Sequence, residues 1–190
     1  MNKVYVEGRK FDRVDFNEKL PEKGTYENCT FSNCLLTTVD LSNISFSECV
    51  FDNCDLSMAI LKDTSFRDVK FRNCKMLGLR FDDCNKFLLS FSFENCILNF
   101  ASFYQLKIKN TLFKGCKIQD VEFVGTDLTN TRFADCDLSR TIFQQTLLLN
   151  ADFVTAYNYS IDPETNKLRK AKFSAAGIAG LLDKYNIVIE

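Results

Sequence analysis

Between residues 93 and 153 an apolar side chain recurs at every fifth position: Phe93, Leu98, Phe103, Ile108, Phe113, Ile118, Phe123, Leu128, Phe133, Leu138, Phe143, Leu148 and Phe153. An α-helix repeats every 3.6 residues and a strand every 2, so neither buries this pattern on one side. A chain that must point inward every fifth residue has to turn a corner in each interval. Four such sides close a square coil, and coils stacked on one another form a solenoid.

A second period supports this. With four five-residue sides to a turn, residues 20 apart lie above one another at about 4.8 Å, the ordinary strand spacing. Phe93, Phe113, Phe133 and Phe153 then form one column and Phe103, Phe123 and Phe143 another, with Leu98, Ile118, Leu138 and Ile108, Leu128, Leu148 between them. The first half has columns of its own: Phe11, Phe31, Phe51, Phe71; Tyr26, Phe46, Phe66; Leu36, Leu56, Met76; and Leu41, Leu61 with Phe81. Ladders of like side chains fill a narrow tube without voids. Two residues before each large one lies a second inward position held by small or slim residues, such as Cys29, Val39, Ala59, Thr64 and Ala101. Asn or Asp is frequent two places after it (Asn33, Asn53, Asp63, Asn73, Asn110), which suits a corner because these side chains bond their own turn backbone.

The motif small–x–Leu/Phe–x–x, as in Cys29–Asn33 and Cys136–Arg140, resembles the pentapeptide-repeat family over about residues 26–153. That resemblance implies an all-β fold, a right-handed quadrilateral parallel β-helix, here expected to carry a short C-terminal α-helix. The expected divisions are an N-terminal cap at 1–25, the β-helix at 26–155, and a loop with helix and tail at 156–190.

All nine cysteines fall at the small inward position: 29, 34, 49, 54, 74, 84, 96, 116 and 136. The 20-residue rule stacks them as Cys29–Cys49, Cys34–Cys54–Cys74 and Cys96–Cys116–Cys136. They are expected to be reduced, buried small hydrophobes, since stacked parallel Cβ vectors suit a disulfide poorly. With no His and no Cys-x-x-Cys, a zinc site is not expected. The lack of His also removes His-based nucleophiles and general bases. There is no Gly-rich phosphate or dinucleotide loop, so neither an enzyme nor a cofactor is expected. The 24 basic and 25 acidic residues argue against bulk attraction to nucleic acid or an anionic membrane. No signal-peptide core or long apolar run occurs, so a cytoplasmic protein is expected.

Two interruptions carry the candidate sites. Small positions step by five to Cys84, and the next is Phe91, seven residues on, so two extra residues lie within Asn85–Ser90. Phe87, Leu88 or Leu89 either tucks back inside or forms an exposed surface contact. At the C-terminus the phase lapses after Phe153 and resumes at Ala171 and Phe173. Ser174 is a good N-cap for a following helix. Ile178, Leu181, Leu182 and Tyr185 fall at i, i+3, i+4 and i+7 of that helix, and an Ile187-Val188-Ile189 tail follows. This stripe and tail, Ile189 included, are candidate contacts for a homodimer as well as a cap on the last coil.

A rigid rod of this kind is expected to act as a non-catalytic protein-interaction module with an unidentified protein partner. The alternative comes from the family resemblance. Its quinolone-resistance group mimics the DNA duplex and engages type II topoisomerases such as gyrase. Like this chain, that group has a mid-rod irregularity and a C-terminal helix with Leu-Leu and an apolar tail. In this chain residues 26–155 hold 16 acidic and 13 basic side chains, close to neutral for a duplex mimic.

Overall fold

A computed structural model describes residues 4–188 of the chain. Five-residue sides stack as a right-handed parallel β-solenoid, square in section. On one face (face 1) seven short strands form a continuous parallel sheet: β2 (Lys10–Asp12), β4 (Thr30–Ser32), β6 (Val50–Asp52), β8 (Val69–Arg72), β9 (Phe91–Glu94), β10 (Leu112–Lys114) and β11 (Arg132–Ala134). Faces 2 and 3 follow in chain order, on the Leu36 and Leu41 columns. Their rungs meet through single bridges such as Leu35↔Asp55 and Asp40↔Ile60. Face 4, on the Tyr26 column, begins with a four-stranded sheet of β1 (Val4–Glu7), β3 (Gly24–Glu27), β5 (Ser45–Ser47) and β7 (Ser65–Arg67).

Most rungs pair 20 residues apart, as in Phe31↔Phe51 and Phe113↔Phe133, but β8 meets β9 as Phe71↔Phe93, 22 apart. The two extra residues are thus extruded from the coil, and the columns run on past them. On face 1, Phe11, Phe31, Phe51, Phe71, Phe93, Phe113, Phe133, Phe153 and Phe173 make one continuous stack, its ring centroids 4.6–5.3 Å apart. On face 3, Phe81 heads the stack Phe103, Phe123, Phe143. Rings on opposite faces 1 and 3 meet edge to face across the coil, as Phe113 and Phe123 do at 77°, the arrangement their quadrupoles favour.

The small inward position is polar for a reason besides size. Thr64, Thr126 and Thr146 donate from Oγ1 to the carbonyls of Leu41, Phe103 and Phe123 in the coil below, at 2.8, 2.7 and 2.9 Å. Cys54, Cys74 and Cys96 place Sγ 3.3–3.5 Å from Phe31, Phe51 and Phe71 carbonyls in the same way. Because the extra residues leave the coil, the two cysteine columns expected at 34–74 and 96–136 join into one six-thiol ladder. All nine thiols are free and buried.

Corners are built at the second residue after the large one, which takes a left-handed conformation (φ 55° at Asn33, 54° at Asn53, 60° at Asn130). Asn tolerates that region best among residues with a side chain, and its amide also links one coil to the next. Asn53 donates to Asn33 at 2.6 Å, Asn130 to Asn110 and Asn150 to Asn130 at 3.0 Å. The last coil closes on Asn166, buried at the small position, whose Nδ2 reaches the carbonyls of Phe143 and Asp162.

The expected terminal helix is present, but in 3-10 form, over Ala175–Leu181 and Asp183–Tyr185. Ser174 caps it, its Oγ accepting from the Gly177 N–H at 3.1 Å. The reason lies in Gly177 and Gly180, three residues apart and so eclipsed in a 3-10 turn. Both press on Tyr159: a Cβ at Gly180 would lie 2.1 Å from the Tyr159 carbonyl oxygen, and one at Gly177 2.0 Å from its hydroxyl. No described helix is long and apolar enough to cross a membrane.

Candidate functional site

The extruded segment lies at the middle of face 4. Asn85 N–H bonds to the Thr64 carbonyl and Ser90 N–H to that of Phe66, so residues 85–90 sit directly over β7 and end the four-stranded sheet. Phe87 and Leu88 are 66% and 62% exposed, whereas Leu89 is partly buried against the core. The segment is held from both sides. Ser90 Oγ bonds to Asp68, Asn85 Oδ1 accepts from Phe87 N–H, and the Arg67 guanidinium lies over the Phe87 ring at 5.6 Å. Leu88 takes φ +55°, a conformation unfavourable for a bulky side chain. Two large apolar side chains are therefore fixed outward at a position that apolar burial alone would not choose.

At the rod's end the 3-10 geometry splits the predicted stripe. Leu181 and Leu182 are half-buried, Leu181 against the core, while Ile178 and Tyr185 are 49% and 52% exposed and Ile187 is exposed with them. Ile189 lies outside the described residues. Lys184 ties the module down, contacting Asp162 at 2.7 Å and Glu164 at 2.6 Å, and the Tyr185 hydroxyl reaches Glu164 at 3.0 Å. Replacing Gly180 by Ala should undock this module, since the clash is with backbone. The expected cost is about 2 kcal/mol, in the range of overpacking. Hydrogen–deuterium exchange at 175–185 should accelerate roughly tenfold or more while the coils stay protected; unchanged exchange there would contradict the packing.

A third group was not legible as a candidate. Met58 and Phe100 occupy corner positions between faces 2 and 3 with φ +58° and +64°. Gly78 stands at the corner between them, and Met58 Sδ fills the space its side chain would take. Phe100 is exposed, as are Met58, Ile60 and Tyr104 nearby. The signal available in the sequence was a large apolar residue where Asn, Asp or Gly belongs, at a left-handed cost of about 1–2 kcal/mol.

Burial pushes the Cys49 thiol up to about 12 and raises that of Cys84 as well. A thiol held protonated is a poor nucleophile and a poor metal ligand. No group of three or more Cys, Asp or Glu side chains with metal-binding geometry occurs among the described residues.

Two family models match the sequence, "Pentapeptide repeat region" over residues 25–91 and "Pentapeptide repeats (8 copies)" over residues 108–145. No curated protein matches it. Among solved structures the chain is similar to a trypsin-treated variant of QnrB1, a plasmid-mediated fluoroquinolone resistance protein, at 17% identity and a TM-score of 0.71, over 98% of this chain and 92% of that one. Full-length QnrB1 aligns at 19% identity and 0.50, over 97% and 100%. HetL, a pentapeptide-repeat protein involved in heterocyst differentiation regulation from the cyanobacterium Nostoc sp. strain PCC 7120, aligns at 13% identity and 0.50, over 90% and 85%. At these identities the likeness is one of fold. Together with the five-residue motif, the closed columns and the left-handed corners, the matches to more than half of its length place the chain in the pentapeptide-repeat family.

Proposed function

We propose that the protein is a non-catalytic interaction rod, recognised by a protein partner through side chains displayed at fixed spacing on its faces. The observation that carries this reading is the outward fixation of Phe87 and Leu88, with Met58 and Phe100 as further apolar residues held at strained corners. Local rules of this kind are broken where function requires it. The exposed end residues Ile178, Tyr185 and Ile187, with Leu181 and Leu182 behind them and Ile189 following, would supply a contact to a second copy. A rod whose interior is filled by stacked rings leaves chemistry to its surface, and that surface presents binding groups.

A second reading is that the partner is a type II topoisomerase, met in place of DNA. It is favoured by one observation, the alignment with QnrB1 over nearly the whole of both chains. DNA supercoiling by purified gyrase, titrated with this protein with and without a fluoroquinolone, tests it. Inhibition of supercoiling, or relief of the drug's effect, at micromolar protein is the expected result under this reading. An unchanged assay at tens of micromolar would discard the topoisomerase and leave the interaction rod, whose partner would then be sought by crosslinking from a Phe87 site.

A further inference from the structure

We propose that face 4 is a self-complementary interface on which two copies pair side by side, antiparallel, about a two-fold axis through the Phe87–Leu88 segment. The proposal goes beyond the reading above and does not depend on the end module. It rests on how charge is arranged along this face, which only the coil reveals. The segment at 85–90 has four rungs on either side: β1, β3, β5 and β7 before it, and those carrying Lys107, Asp127, Leu147 and Lys167 after it. The first half projects Glu7, Glu27, Glu48 and Asp68, with Arg67 turned over the Phe87 ring. The second half projects Lys107, Lys109, Lys167, Arg169 and Lys170, with Asp127 as the one acid, and Lys109 at 3.2 Å neutralises it.

Other faces behave differently. Face 1 pairs Lys114 with Glu94 at 2.7 Å, and the corner between faces 2 and 3 pairs Arg140 with Asp120 at 2.6 Å, each across successive coils. On face 4, among the described residues, Glu7, Glu48, Lys107, Lys167, Arg169 and Lys170 make no ion pair within the chain, and the two signs lie in separate halves. A two-fold axis at the bulge sets the innermost and outermost acidic rungs on basic ones, while the rung of Glu48 meets that of Asp127, which Lys109 neutralises, and the rung of Glu27 meets the uncharged rung of Leu147. The rung of Glu7 meets that of Lys167 and Arg169, about 19 Å from the axis at four strand spacings, and the rung of Asp68 meets that of Lys107. The axis itself brings Phe87 and Leu88 of both copies together, giving an apolar centre with the exposed Lys86 at its edge beside Lys107, inside a charged rim. A parallel pairing would set like charges against each other, so the same pattern selects the orientation.

The test uses the full chain in an Ile178→Asp/Ile187→Asp background, so that end-to-end contact cannot supply the mass. Sedimentation equilibrium at low salt should give a dimer, weakened roughly tenfold as salt rises through the range where surface charges are screened. Glu7→Lys/Asp68→Lys and Lys107→Glu/Lys167→Glu should each be monomeric, and mixing the two should restore a dimer containing one of each. Rescue on mixing also shows that both variants are folded. Phe87→Ser/Leu88→Ser should be monomeric with an unchanged circular dichroism spectrum. A monomer at about 200 μM in the background protein, dimers in either charge-reversed variant alone, or no dimer on mixing would overturn the proposal.

Discussion

Replacing Phe123 by Ala should lower the unfolding free energy by about 3–5 kcal/mol, the cost of deleting a buried aromatic ring. Phe123 is fully buried on face 3, stacked on Phe103 at 5.0 Å and Phe143 at 5.4 Å, and edge-on to Phe113 and Phe133 at 6.0 Å. The value should lie toward the upper end because the site cannot collapse. Its coil is held to its neighbours by Phe103 N–H to the Glu122 carbonyl and Phe123 N–H to that of Ile142, both 2.9 Å, so the rungs keep their spacing when the ring is gone. Nor can an adjacent ring slide in, since each belongs to a rung of its own. Phe123→Leu keeps most of the volume and should cost less than about 1.5 kcal/mol, matching the aliphatic residues at large positions elsewhere. Urea melts with circular dichroism measure both. A loss below about 1 kcal/mol for Phe123→Ala would mean that the ring is not part of the column.

The coil itself was legible in the sequence because its two periods, five and 20, are independent and agree. The columns inside each half followed directly. Their continuation across the middle did not follow: a two-residue insertion breaks the arithmetic, and only the extrusion of residues 85–90 shows that Phe71 meets Phe93 and Cys74 meets Cys96. Spacing likewise left open whether Phe87, Leu88 and Leu89 point in or out, and the answer divides them, Leu89 inward and the other two outward.

At the C-terminus, Ser174 and the apolar spacing indicated a helix but not its kind. The 3-10 form depends on the approach of Gly177 and Gly180 to Tyr159, a contact between segments that periodicity does not encode. The same holds for face 4. In linear order Glu7, Glu48, Lys107 and Lys167 are scattered charges, 41–60 residues apart between neighbours. The 20-residue turn with its one extrusion brings them onto one side of a rod.

The protein should lose stability steeply as pH rises above about 9, and the thiols are the cause. Burial lifts Cys49 to about 12 from an ordinary value of 9.0 and raises Cys84 also. In the ladder the thiol–thiol hydrogen bonds raise one member and lower its neighbour, Cys96 and Cys116 being raised and Cys54 and Cys136 lowered, so these shifts offset one another and Cys49 and Cys84 carry the effect. A raised native pKa means that the folded chain keeps protons the unfolded chain gives up. The stabilisation is therefore complete below pH 9 and is lost as pH climbs from 9 toward 12. Each such thiol contributes a slope of about 1.4 kcal/mol per pH unit once its unfolded counterpart is ionised, so Cys49 and Cys84 together give roughly 3 kcal/mol per unit. Buried Tyr26 and Tyr159, also raised by burial, add to the loss at the upper end. Urea midpoints measured from pH 7.5 to 10.5 should be level at first and then fall sharply. Cys49→Ala/Cys84→Ala removes both of these protons, and Ala is already used at this position at Ala59, Ala101 and Ala151. The double variant should remove most of the alkaline slope. An identical pH profile in the two proteins would show that thiol ionisation is not what opens the coil, and would place the titrating groups elsewhere on the rod.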